Sequence, residues 1–166
     1  MAGPLFDIST RMFNLKLAES LSVLFENDAT LVLPQEEAKN FFEGGAFDMI
    51  ACSKRCAEQS VTSDVVLLNL DGPDTDSGTA LEAGLALYQK LFPSDPSKSH
   101  PIVIAYRTDF RTDLVREVGI NGMFNLADHL IYKPAFATTG EEIETFLDEL
   151  ASEIWASINH FLNVAK

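Results

Sequence analysis

Basic residues are scarce. Twelve Lys and Arg stand against 25 Asp and Glu, for a formal net charge of −13. Such a chain repels a phosphate backbone, so general nucleic-acid binding is not expected, and small neutral ligands suit it better than highly charged ones. Cysteine is nearly absent. Cys52 and Cys56 are the two in the chain, spaced one helical turn apart, and no His or further Cys cluster joins them into a zinc site. They read as two reduced thiols on or under a helix, and no metal is expected. Long apolar runs are missing: none approaches the ~18 residues that a membrane span needs. Arg11 and Lys16 interrupt the early apolar residues that a secretory leader requires. The expectation is a cytoplasmic protein without membrane contact. No dinucleotide fingerprint and no P-loop motif occur, so no cofactor is expected.

What is present fits one globular domain over residues 1–166. The apolar share is 46% and the charged share 22%, and a chain of this length buries a sizeable core without disulfides or metal. Residues 64–70 and 101–106 are continuous, β-branched apolar runs bounded by polar turn residues, as expected of parallel strands covered on both faces. Residues 30–34 form a weaker candidate strand and 129–132 another short one, while residues 1–6 resemble the end of a strand running into a Gly-Pro turn.

Helices fill the gaps. Residues 12–25 carry Phe13, Leu17, Leu21 and Leu24 at helical spacing. A helix is predicted over 47–59. Another spans 79–91, with Leu81, Leu85 and Tyr88 along one side. The last covers 139–162, where Ile143, Phe146, Leu147, Leu150, Ile154 and Ile158 keep the period. Strand and helix alternate. The expected fold is therefore α/β, a flavodoxin/Rossmann-like, doubly wound, mostly parallel five-stranded sheet with helices on both faces. The Pro/Ser-rich stretch 92–101 reads as a loop, because a buried strand follows it at once.

The stretch most charged with chemistry is 71–86, DGPDTDSGTALEAGLA. It leaves the C-terminal end of a predicted strand and enters a helix, where open α/β sheets place ligands. Glu82 stands in or just past the first helical turn among Ala80, Ala83, Gly84 and Ala86. Small neighbours leave room for a ligand or for close backbone packing, and a Glu early in a helix also simply favours the macrodipole. Asp76 reads equally well as a helix N-cap.

Residues 76–86, DSGTALEAGLA, resemble the signature of the nucleoside 2-deoxyribosyltransferase family, D-x-G-[ST]-x-x-E-x-G-x-A. Three further segments agree in order: AGPLF at 2–6, SDVV at 63–66, and YRTDFR at 106–111 followed by FNL at 124–126. The likeness covers most of residues 1–132. It implies that Glu82 is a nucleophile and that Asp76 holds the sugar hydroxyls or helps hold the nucleophile. It implies substrate contacts from Gly3, Phe6, Asp71 and Gly78, with Phe6 an apolar wall against the base. Asn125, or in a rival alignment Asn121, would contact the sugar 5′-hydroxyl of a neighbouring subunit. Asp109 and Arg111 could pair and shape their loop. Two departures stand out. The Tyr that usually precedes the A-G-P turn is missing, so either the first strand is very short or the chain begins later than in its relatives. Cys56 occupies the position where many members carry a base-contacting Asp.

The expected activity is exchange of the base of 2′-deoxynucleosides through a deoxyribosyl-Glu82 intermediate, the partners being nucleosides, free nucleobases and further copies of the chain in a homo-oligomer. Two alternatives stand beside it: hydrolysis of 2′-deoxynucleoside 5′-monophosphates, and a nucleotide-binding module without turnover. A lone Arg11 beside Asp7 after the first turn favours the unphosphorylated substrate.

Overall fold

The computed structural model describes residues 1–26, 28–93, 95, 100–109 and 120–164. In chain order the elements are α1 (Ile8–Phe25), a single-turn α2 (Pro34–Glu37), a 3₁₀ turn (Ala38–Phe41), β1 (Phe42–Glu43), β2 (Ala46–Phe47), α3 (Met49–Thr62), β3 (Val65–Asn69), α4 (Ser77–Leu91), β4 (Ile102–Arg107), a second 3₁₀ turn (Gly122–Leu126), β5 (His129–Tyr132) and α5 (Gly140–Val164).

The class is α/β. β3, β4 and β5 form a parallel sheet in that order, with Val65 opposite Ile102 and Ile104 opposite His129. Side chains alternate across it, as the two-residue strand period requires. Leu67, Ile104, Tyr106 and Ile131 pack with α1 and with Leu147, Leu150, Ala151, Ile154 and Ile158 of α5. Val66, Leu68, Leu70, Val103 and Ala105 pack on the opposite face with Ala83, Ala86 and Leu87 of α4. α3 lies against α4. Helices thus cover both faces, which explains why β3 and β4 read as unbroken apolar runs.

The expected five-stranded sheet differs from what is observed. Among the described residues three strands are laddered in this sheet. Ala2 joins the free edge of β3 through one isolated parallel bridge to Leu68: its N–H donates to Leu67 O at 2.7 Å and its carbonyl accepts from Asn69 N at 2.8 Å. Residues 30–34 are not a strand. Val32 O accepts from the Met1 amino group at 2.9 Å, but Pro34 starts α2 at once, and a proline pre-set for a helix N-terminus ends any ladder there. The antiparallel β1–β2 pair is too short to leave a periodic signal.

Helix boundaries also shift. Asp7 caps α1 by accepting from Thr10 N at 2.9 Å, so the helix starts four residues before the predicted 12. Asp48 caps α3, accepting from Ala51 N at 2.9 Å, and the helix runs on to Thr62. On α4 two of the three residues of the predicted apolar side turn outward, while Leu85 is half-buried. Leu81 is 68% exposed and Tyr88 63%, whereas Thr79, Ala83, Ala86 and Leu87 are buried. The small residues let the helix approach β3 closely, and that closeness outweighs the larger side chains. Ile143 on α5 is likewise exposed.

Candidate functional site

The C-terminal ends of β3 and β4 are cross-tied. Asp71, just past β3, accepts from Thr108 N at 2.6 Å, Thr108 Oγ1 at 2.6 Å and Asp109 N at 2.9 Å. In return Arg107, buried at the end of β4, donates to Leu70 O at 2.6 Å and Gly72 O at 2.9 Å. Its guanidinium also stands 3.9 Å from Asp109 Oδ2. Asn69 Oδ1 accepts from Asp71 N at 2.9 Å. Gly72 adopts φ +121°, a backbone state that side chains rarely tolerate, and the chain turns there toward α4.

α4 opens with Asp76 as N-cap. Its carboxylate accepts from Thr79 N at 2.9 Å and Thr79 Oγ1 at 3.2 Å. The capping reading of Asp76 is therefore the one its contacts display. Gly78 follows in the first turn, where an added Cβ would come within 3.1 Å of Asp76 Oδ2.

Two turns of chain away from the cap, Glu82 is half-buried and lines a cavity of about 30 Å³ with Met1, Val32, Cys56, Gln59 and Ser60 among its walls. That is room for a water or two. Burial raises the Glu82 pKa above the ordinary carboxylate value; the Met1 ammonium opposes the rise, Asp76 adds to it, and the Cys56 thiol opposes it. Among the described residues no backbone N–H and no Lys or Arg side chain holds this carboxylate. Burial, then the Glu82 charge, pushes the Cys56 thiol up to about 11.

Of the residues singled out from the sequence, Glu82 lines this cavity together with Cys56, which stands where the family's base-contacting Asp is expected. Gly3 sits where the N-terminal segment meets β3; a Cβ there would lie 2.7 Å from Asn69 Cβ. Phe6 is 79% exposed. Asn121 caps the second 3₁₀ turn, accepting from Met123 N at 3.0 Å, and Asn125 is exposed on that turn. Arg111 lies outside the described residues. Met1, Val32 and Gln59 carry no sequence signal for the site, because they meet Glu82 only through tertiary packing. Asp71 and Arg107 work as a brace, which the spacing of the segments alone did not reveal.

Among the described residues no group of three or more His, Cys, Asp or Glu is placed to hold a metal ion, and no helix is long and apolar enough to cross a membrane. No family model and no curated protein matches the chain. Among solved structures the chain is similar to that of a conserved protein from Enterococcus faecalis V583, with a TM-score of 0.60 and 23% identity over 90% of this chain and 95% of that one. At that identity the likeness shows the fold alone.

Proposed function

We propose that the protein is a nucleoside 2-deoxyribosyltransferase that exchanges the base of 2′-deoxynucleosides through a covalent deoxyribosyl-Glu82 ester. The observation that carries this reading is a contrast among three carboxylates that follow β3 in the chain. Asp71 and Asp76 are each occupied by hydrogen bonds to neighbouring N–H and O–H groups. Glu82 is half-buried beside a cavity and held by no such donor.

A carboxylate in that state suits nucleophilic attack on an anomeric carbon. The C1′–N bond breaks as the oxocarbenium-like centre collapses onto a Glu82 oxygen, and the base departs with the bonding pair and takes up a proton. A second base then attacks C1′ through a ring nitrogen and gives up that nitrogen's proton to solvent, and Glu82 leaves as carboxylate. Two displacements retain configuration. Because the cavity itself holds only water-sized groups, the sugar lies over its opening. The water-sized space beside Glu82 also favours a slow hydrolytic side reaction, in which water replaces the second base.

A 5′-phosphate finds few donors here. The N-terminus of α1 carries the Asp7 carboxylate and that of α4 the Asp76 carboxylate, so an anion approaching either helix start meets a negative charge. Arg11 donates to Leu5 O and Phe6 O. Nucleosides are thus preferred to nucleotides.

The finer fold belongs to the same reading. Residues 30–33, the N-terminal segment, β3, β4 and β5 would lie side by side in flavodoxin-like order. The family resemblance further implies a homo-oligomer in which Asn125 reaches a neighbour's site. An active, stable monomer in sedimentation would end that part.

The test is incubation of deoxyadenosine or deoxycytidine with a free purine, followed by chromatography. A new deoxynucleoside is expected, together with a deoxyribosyl mass adduct on Glu82. Release of deoxyribose with no new nucleoside removes transfer as the main activity.

A further inference from the structure

The wall of the cavity that faces Glu82 comes from α3. α3 and α4 pack side by side, and Cys56 and Glu82 line the same small space. Most other polar groups of that wall are turned elsewhere. Ser60 Oγ donates to Cys56 O at 2.9 Å. Gln59 Nε2 donates to Glu37 Oε2 at 3.1 Å. The Met1 amino group donates to Val32 O at 2.9 Å. The thiol of Cys56 is the side-chain donor left to it.

We propose that Cys56 is a positioning residue for Glu82: its thiol donates to one carboxylate oxygen and leaves the other turned toward the opening of the cavity. The catalytic consequence rests on the reading of Glu82 as nucleophile; the contact itself does not. The thiol stays protonated at neutral pH, so it acts as a weak donor and not as a rival nucleophile. An isolated carboxylate in a half-buried site rotates about its last bond. A single donor on one oxygen selects one rotamer and supports the charged form against burial. The groups facing Glu82 are then the Met1 ammonium from the N-terminal segment, Asp76 from its own helix, and Cys56 from α3, with Cys52 one turn before it.

Two variants separate the donor from the volume it fills. Cys56→Val fills a similar volume without a donor, and Cys56→Ser keeps a donor. The Glu82 side-chain carboxyl is followed by 13C NMR in full-length protein, assigned by its loss in Glu82→Gln. In Cys56→Val the titration midpoint is expected to rise by about half a unit, the scale of one weak hydrogen bond, and in Cys56→Ser to stay near wild type. Coincident midpoints for the two variants would overturn the proposal. Should Cys56→Val fail to fold, the reciprocal measurement decides. In Glu82→Gln the Cys56 thiol is expected to alkylate severalfold faster at pH 8 than in wild type, because the carboxylate that raises its pKa is gone. An unchanged rate would overturn the proposal. Neither readout uses turnover, so absent base exchange with a shifted midpoint sinks only the proposed activity, whereas intact exchange with coincident midpoints sinks only the role of Cys56.

Discussion

Asp71 and Thr108 join the ends of two neighbouring strands, with one aspartate oxygen accepting from the Thr108 backbone N–H and the other from its hydroxyl, both at 2.6 Å. Together with Arg107 on the Leu70 and Gly72 carbonyls, this brace sets where the chain leaves β3 and hence where α4 and Glu82 begin. Asp71→Ala leaves partly buried N–H groups unpaired and is expected to cost about 2–3 kcal/mol. Asp71→Asn, which keeps one acceptor oxygen, should cost roughly half that. Urea unfolding measures both; a wild-type midpoint for Asp71→Ala would show that the brace does not hold the loop.

Asp76 allows its cap and its charge to be separated. Asp76→Ala removes the acceptor for Thr79 N and should cost about 1 kcal/mol. Asp76→Asn keeps the acceptor, so most of that stability should remain. It also removes a negative charge that raises the Glu82 pKa, so the acid limb of the rate profile should move to lower pH. Equal destabilisation by the two substitutions would contradict the capping role.

Glu82→Gln is expected to abolish turnover and to stabilise the fold. In the folded chain the Glu82 pKa lies above its ordinary 4.5. The folded state therefore holds this proton more tightly than the unfolded state does. Its stabilising contribution is complete below the unfolded-state pKa and is lost as pH rises through the folded one. Near neutral pH the wild type keeps an ionised carboxylate where burial disfavours it, and Gln relieves this. Partial solvation keeps the gain small, a Tm rise of roughly 1–3 °C at about pH 7, shrinking toward nothing below about pH 4. A lower Tm for Glu82→Gln at neutral pH would refute this assignment. In wild type, activity should fall with decreasing pH at values above the ordinary carboxylate range.

Gly3 is needed for close approach. A Cβ at this position would stand 2.7 Å from Asn69 Cβ, and Asn69 is buried with its own side chain engaged. Gly3→Ala should cost roughly 1–3 kcal/mol and speed hydrogen exchange at Asn69 N, which donates to Ala2 O. Wild-type exchange at that amide would show that the segment accommodates the methyl group.

The readable parts of the fold were those whose signal is local. β3 and β4 are apolar runs because both faces of the sheet are covered, and α5 keeps its period because one stripe packs on α1 and the sheet. Residues 30–34 misled because a β-branched, apolar composition does not say whether an edge will be laddered, and Pro34 decided that it would not. α4 misled because its large side chains suggested a buried face, while the contact with β3 went to Ala83 and Ala86. The acidic stretch 71–86 drew attention to Asp71, Asp76 and Glu82 alike. Only their contacts separated a strand brace and a helix cap from a half-buried carboxylate beside a cavity.

By itself, the sequence determined the alternation of strand and helix, the acidic character of the protein, and the placement of Glu82 near the start of a helix behind a strand end. Each depends on residues a few positions apart. The tertiary structure decided that Glu82 shares a cavity with Cys56, Val32 and Met1 and that burial raises its pKa. Desolvation and facing donors come from segments tens of residues away, and no local pattern encodes which of them will meet.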